Sequence, residues 1–101
     1  MSDISAGEML TRLKNTDNLN LLDVRERIEY YTYNIGGINI PLKSLNERIN
    51  TLPWNKSDEI IVICSAGLRS ATAKHILGEH GFNNARNLKG GLKGLQKLQH
   101  Q

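Results

Sequence analysis

The chain has 101 residues, of which 39% are apolar and 23% charged, proportions that suit one globular domain and exclude a disordered tail or two ordinary domains. No apolar run approaches the ~20 residues of a membrane helix. Met1-Ser2-Asp3 does not open a secretory signal, so a cytoplasmic protein without a membrane partner is expected. The net charge of +3 is uneven, with 7 Lys/Arg against 9 Asp/Glu in residues 1–59 and 6 against 1 in residues 60–101.

Ser5-Ala6-Gly7-Glu8 fits a capping box, with Ile4 and Met9 spaced as a hydrophobic staple across it. A helix to about Asn15 follows, with Met9, Leu10 and Leu13 on one face, and Asp17-Asn18 makes a turn. Leu19 to Val24 reads as a buried strand, and Glu26 to Tyr31 as a short helix. Gly36-Gly37 breaks into a brief strand at Ile38-Asn39-Ile40, stopped by Pro41. Leu42, Leu45, Ile49 and Leu52 recur at helical spacing, and Pro53 ends that helix.

Ile60-Ile61-Val62-Ile63 is an apolar run without alternation, as in a strand covered on both faces. A loop from Cys64 to Ser70 leads into a helix that reaches about His80, burying Ala73, Ile76 and Leu77 and stopped by Gly81. Asn84 to Leu88 is a last strand. Gly90-Gly91 turns the chain, and Leu92, Leu95 and Leu98 line a closing helix. Short strands alternating with helices predict an α/β domain with a mainly parallel central sheet flanked by helices. In such sheets the reactive crevice lies beyond the carboxyl ends of the strands. Two polar clusters fall there, Asp23-Val24-Arg25 and Cys64 to Ser70.

The second cluster can make a nucleophile. A strand delivers Cys64 to the sheet edge, and Gly67 lets the backbone curl ahead of the next helix. Successive N–H groups can then face inward, backed by the positive end of the helix dipole. Such surroundings favour a thiolate. Arg69 and Ser70 add donors at the rim, so a small anion bound by Ser65, Ala66, Gly67, Leu68, Arg69 and Ser70 would meet the activated sulfur. Against this stands ordinary packing, since a lone cysteine after an apolar strand is commonly just buried. Cys64 is the only cysteine, which rules out an internal disulfide or a multi-cysteine zinc cage, and no metal or cofactor is expected. Nucleic acid is a poor partner for the basic half, because Phe82 is its only aromatic residue.

The segment Cys64-x-x-Gly67-x-Arg69-Ser70 resembles the active-site loop of single-domain rhodaneses, a family of sulfurtransferases. Leu21-Leu22-Asp23-Val24-Arg25-Glu26 through Glu29-Tyr30, Ile35 to Leu42, and Gly81-Phe82 through Asn87-Leu88-Lys89-Gly90-Gly91 resemble other blocks of that family in order. The likeness covers about residues 19–98 of a chain read as one domain, 1–101. It implies a rhodanese-like fold and a relay. Cys64 takes a sulfur atom from thiosulfate or a persulfidated protein and passes it to a thiophilic acceptor, such as a sulfur-carrier protein. The wording of residues 34–42 is similar to rhodanese domains fused to ubiquitin-activating-like enzymes, which hand sulfur to carriers.

Departures from the family pattern are Asn34, where many members have His, and Leu95, where Trp is common. Ser65 and Ala66 are uncharged where thiosulfate-preferring members often carry a cation, which leaves Arg69 as the loop's charge and makes thiosulfate an assay substrate more than a natural one. Asp23, beside Arg25 at a strand end, is expected to support the site, either by accepting hydrogen bonds from the loop or by pairing with a buried Arg.

Two rival readings remain. One is a non-enzymatic persulfide carrier or regulatory binding module. The other is a cysteine phosphatase or arsenate reductase relative, which needs Cys-x5-Arg to enclose a tetrahedral oxyanion. Here Arg69 closes Cys-x4-Arg, and position 70 is Ser. Lys89, Lys93 and Lys97 form a basic stripe, a solvated face or a dock for an acidic protein.

Overall fold

The computed structural model describes residues 3–15 and 18–100, so the expected turn at Asp17 lies outside the described residues. Four short parallel strands form the sheet: β1 (Leu21–Asp23), β2 (Ile38–Asn39), β3 (Ile60–Ile63) and β4 (Ala85–Asn87), in the order β2-β1-β3-β4. Five helices surround it: α1 (Ala6–Lys14), α2 (Arg27–Thr32), α3 (Leu45–Arg48), α4 (Leu68–Glu79) and α5 (Gly91–Gln99). The α/β class and the parallel sheet are as the sequence predicts. None of these helices is long and apolar enough to cross a membrane.

Alternation along β3 divides the core. Ile60, Val62 and Cys64 join Leu22, Val24, Leu45, Ala73 and Leu77 on one face. Ile61 and Ile63 join Ile4, Met9, Leu88, Leu92 and Leu95 on the other. Each fully buried Leu or Ile of this kind stabilises the fold by ~1.5–3 kcal/mol relative to exposure. Leu95 therefore fills a core position. Asn34 is an exposed turn residue, accepting from the Gly36 amide and donating to the Tyr30 carbonyl.

Some elements differ from the sequence reading. Residues 42–52 do not form one helix. They form a 3-10 turn (Leu42–Ser44), one turn of α3, and a second 3-10 turn (Ile49–Thr51). The Thr51 hydroxyl donates to the Arg48 carbonyl, a side chain competing with the helical ladder near its end. Ser5 caps α1 by accepting from the Glu8 amide. Glu8 does not complete the capping box, because its carboxylate reaches Arg86 at 2.9 and 3.1 Å. Leu68, Arg69 and Ser70 belong to the first turn of α4, not to a loop.

The Gly90-Gly91 pair does more than turn the chain. The first amides of α5 donate to the loop after β3, Leu92 N to the Cys64 carbonyl at 2.9 Å and Lys93 N to the Ser65 carbonyl at 3.0 Å. So close an approach leaves no room for a side chain at Gly91, whose φ is +62° and whose added Cβ would lie 2.4 Å from the Ser65 backbone. We expect Gly91→Ala to lower the Tm by at least about 5 °C, since positive-φ strain and the clash add. Gly94→Ala, with its nearest neighbour 3.7 Å from the added Cβ, should leave the Tm unchanged or raise it. Equal thermal melts for the two variants would refute this role for Gly91.

Candidate active site

Parallel strands β1 and β3 end side by side, with Asp23 paired in register with Ile63. The chain leaves β3 at Cys64 and enters α4 through Gly67, a left-handed residue with φ +102°. That reversal turns the peptide hydrogens inward. The Gly67 and Ser70 amides donate to Cys64 Sγ at 3.1 and 3.4 Å, and the Ser70 hydroxyl stands 3.3 Å from it. Cys64 is 1% exposed, so the sulfur lies on the floor of the loop and not at its rim. Burial pushes its thiol up; the Ser70 hydroxyl and the amides of Ser70, Gly67 and Ala66 outweigh that and hold it below the ordinary cysteine value.

The other residues singled out in the sequence divide by what they touch. Ala66 and Gly67 contribute backbone amides, and Leu68 is 81% exposed at the loop rim. Ser65 and Arg69 turn their side chains toward α2. Arg69 grips Glu29 with two nitrogens at 2.7 and 3.0 Å, and the Ser65 hydroxyl donates to the same carboxylate at 3.3 Å. The sequence expectation of a loop cation open to substrate is thereby modified. Arg69 is present at the rim, but its charge is matched by Glu29.

Asp23 and Arg25 are both buried and pair directly. Arg25 donates to Asp23 through its backbone N, Nε and Nη2, the last at 2.8 Å. Arg25 also donates to the carbonyls of Glu29 and Tyr33, so the pair fixes α2 against the end of β1. Asn39 braces the same corner by donating to the Asp23 and Arg25 carbonyls. The buried pair therefore positions Glu29, and Glu29 positions Arg69.

Glu29 is the residue at this corner that sequence reasoning left without a role. Its signal was local. Glu26-x-x-Glu29 has the spacing of a capping pair, and Glu29 accepts from the Glu26 amide at 3.0 Å. Beside the loop lies a groove of about 370 Å³ whose walls include Ile28, Glu29, Tyr33, Ser65, Leu92 and Lys93.

Comparison with known proteins agrees with this geometry. The sequence model of the rhodanese-like domain matches residues 5–98. The chain belongs to the rhodanese family. It is 44% identical over 75 residues to thiosulfate sulfurtransferase PspE of Escherichia coli, a match covering 73% of this chain and 71% of that protein. It is 33% identical over 97 residues to the thiosulfate sulfurtransferase/rhodanese-like domain-containing protein 3 of Mus musculus, covering 83% of this chain and 62% of the mouse protein. A rhodanese-like domain protein from Staphylococcus aureus has the same fold, with a TM-score of 0.82 and 26% identity, over 94% of this chain and 91% of that one. The family match begins earlier than the resemblance read from the four blocks, taking in α1.

The Glu29 carboxyl is held down to about 2, first by the Arg69 guanidinium, against partial burial and with help from the Glu26 amide and Ser65 hydroxyl. Its folded value lies below its unfolded one, so the stabilisation is full above the ordinary value of 4.5 and disappears as pH falls through about 2. An NMR titration of the Glu29 side chain should show a midpoint near 2 that returns toward 4.5 in Arg69→Met. A wild-type midpoint already at 4.5 would mean the pair does not hold in solution.

Proposed function

We propose that this rhodanese-family protein is a sulfurtransferase that carries sulfane sulfur as a Cys64 persulfide. The observation that carries this reading is a lone thiol at the focus of the Ala66, Gly67 and Ser70 amides, in a chain of this family. The Cys64 thiolate attacks the outer sulfur of the donor with its lone pair. The donor's S–S bond breaks, and its electrons leave with a thiolate or, from thiosulfate, with sulfite. The new terminal sulfur is anionic, and the same inward amides that favour the thiolate favour it, as donors in an oxyanion hole favour a developing charge. A nucleophilic acceptor then attacks that sulfur, and the Cys64 thiolate departs unchanged.

Donor preference follows from Arg69. With its guanidinium matched by Glu29, the loop has no uncompensated cation to receive a sulfonate. The groove beside it includes Ile28, Tyr33 and Leu92 among its walls, and Ile28 and the nearby Leu68 are 76% and 81% exposed. These features suit a thiol-linked persulfide, small or protein-borne, better than thiosulfate.

Incubation with a persulfide donor should add the mass of one sulfur to the wild type and none to Cys64→Ser. Wild type that stays at its original mass would overturn the transferase reading. Uptake without onward transfer to cyanide or a thiol would make the protein a carrier, and release of phosphate from an aryl phosphate would indicate the phosphatase reading. Glu29→Gln should free the Arg69 charge and lower the KM for thiosulfate roughly two- to fivefold, the size of a half-exposed charge interaction, with little change for a neutral alkyl persulfide. An unchanged thiosulfate KM would show that Arg69 does not set donor choice.

A further inference from the structure

Asn87, the last residue of β4, is buried behind the loop and has no part in the scheme above. Its Nδ2 donates to the Gly67 carbonyl at 3.2 Å, and its Oδ1 accepts from the Ser70 hydroxyl. A carbonyl oxygen only accepts, so Gly67 fixes the amide with its nitrogen toward the loop and its oxygen toward Ser70. Ser70 has a single hydroxyl hydrogen. While Asn87 holds it, the Ser70 oxygen offers Cys64 Sγ, 3.3 Å away, a lone pair. A lone pair suits an S–H donor and opposes a thiolate.

We propose that Asn87 and the sulfur of Cys64 compete for the one hydroxyl hydrogen of Ser70, which makes Asn87 a positioning residue for the nucleophile. In the thiol form, S–H donates to Ser70 Oγ and the hydroxyl donates to Asn87. On ionisation the thiol proton leaves to water, the Ser70 hydroxyl turns from Asn87 onto the sulfur, and Asn87 Oδ1 gives up its donor. Reprotonation reverses the sequence. Asn87 thus restrains ionisation through Ser70, while the peptide amides favour it throughout.

The charged groups around this cluster are Arg69 with Glu29 from α4 and α2, Asp23 with Arg25 at the end of β1, and Lys93 on α5. On the outer side of Asn87, its backbone N–H donates to Asp3, which pairs with Lys74. All of these stay in place when residues 70 and 87 are exchanged for neutral ones, so comparison among such variants isolates the hydroxyl.

The inference rests on Cys64 being the reacting sulfur, yet its test needs no donor. Cys64 is the only cysteine, so the ultraviolet absorbance of the thiolate reports it alone in a pH titration of the whole chain. Asn87→Ala should raise the ionisation constant roughly three- to tenfold, the worth of one neutral hydrogen bond. In a Ser70→Ala background the same change should give no such rise. An equal rise in both backgrounds, or none with Ser70 present, would overturn the proposal. Should Asn87→Ala fail to fold, Asn87→Asp holds the Ser70 hydroxyl more tightly, while its loss of the donor to the Gly67 carbonyl is common to the Ser70 and Ser70→Ala backgrounds. It should lower the ionisation constant more with Ser70 than without it, and equal lowering in both would count against the proposal. If the mass experiment above fails while this coupling is found, the sulfur-transfer reading falls and the hydroxyl competition stands.

Discussion

Peptide N–H groups aimed at one sulfur are the arrangement on which the rest of this structure depends. Burial alone would make Cys64 an inert thiol, since a low-dielectric setting disfavours the charged form. The Ser70 hydroxyl and the amides of Ser70, Gly67 and Ala66 reverse that sign. The amides are fixed dipoles whose orientation is set when the chain folds, so little reorganises when charge appears on the sulfur. Carbonyls of the same loop find partners outside it. Cys64 and Ser65 offer theirs to the first turn of α5, and Gly67 offers its own to Asn87. Among the described residues the buried side-chain polar atom left without a partner is Asn84 Oδ1, just before β4 and at the other end of the sheet.

The charges around the loop serve position more than attraction. Arg25 is spent on Asp23 and on the carbonyls of Glu29 in α2 and Tyr33 just after it, and Arg69 is spent on Glu29 and Ser65. This linkage runs from β1 through α2 to the loop. It fixes the loop's outer edge while adding almost no net charge near the sulfur. A site stabilised by neutral donors accepts a compact anion centred on one atom. A site stabilised by free cations would recruit sulfonates and phosphates.

What the sequence made legible was whatever depends on periodicity and local spacing. The apolar β3 run, the Cys64–Gly67 spacing and the Gly90-Gly91 pair each have a short-range cause, and the fold uses each near where it was read. What it concealed depends on pairs far apart in the chain. Glu29 meets Arg69 across 40 positions, and Ser70 meets Asn87 across 17. No periodic pattern encodes such pairs, because β1, β3 and β4 must first lie side by side. The capping box at Ser5 failed for the same reason, as Arg86 from β4 outcompetes the Ser5 amide for Glu8. The long helix expected over 42–52 also gave way, its apolar spacing satisfied by packing while 3-10 turns took its ends.

Loop length decides between one atom and four. A cradle for a tetrahedral oxyanion must curl around all of its oxygens and close with an unpaired guanidinium. In this chain α4 begins at Leu68, so Gly67 is the last residue free to curl, and the two residues between it and Cys64 complete the nest. Arg69 is already helical and turns away to α2. The remaining donors stand 3.1 to 3.4 Å from a single sulfur. Such a nest is matched to charge on the cysteine itself, or on one more sulfur bonded to it. The short Cys-x4-Arg spacing thus acts through the backbone, ending the curl before Arg69 and leaving the nest centred on the Cys64 sulfur.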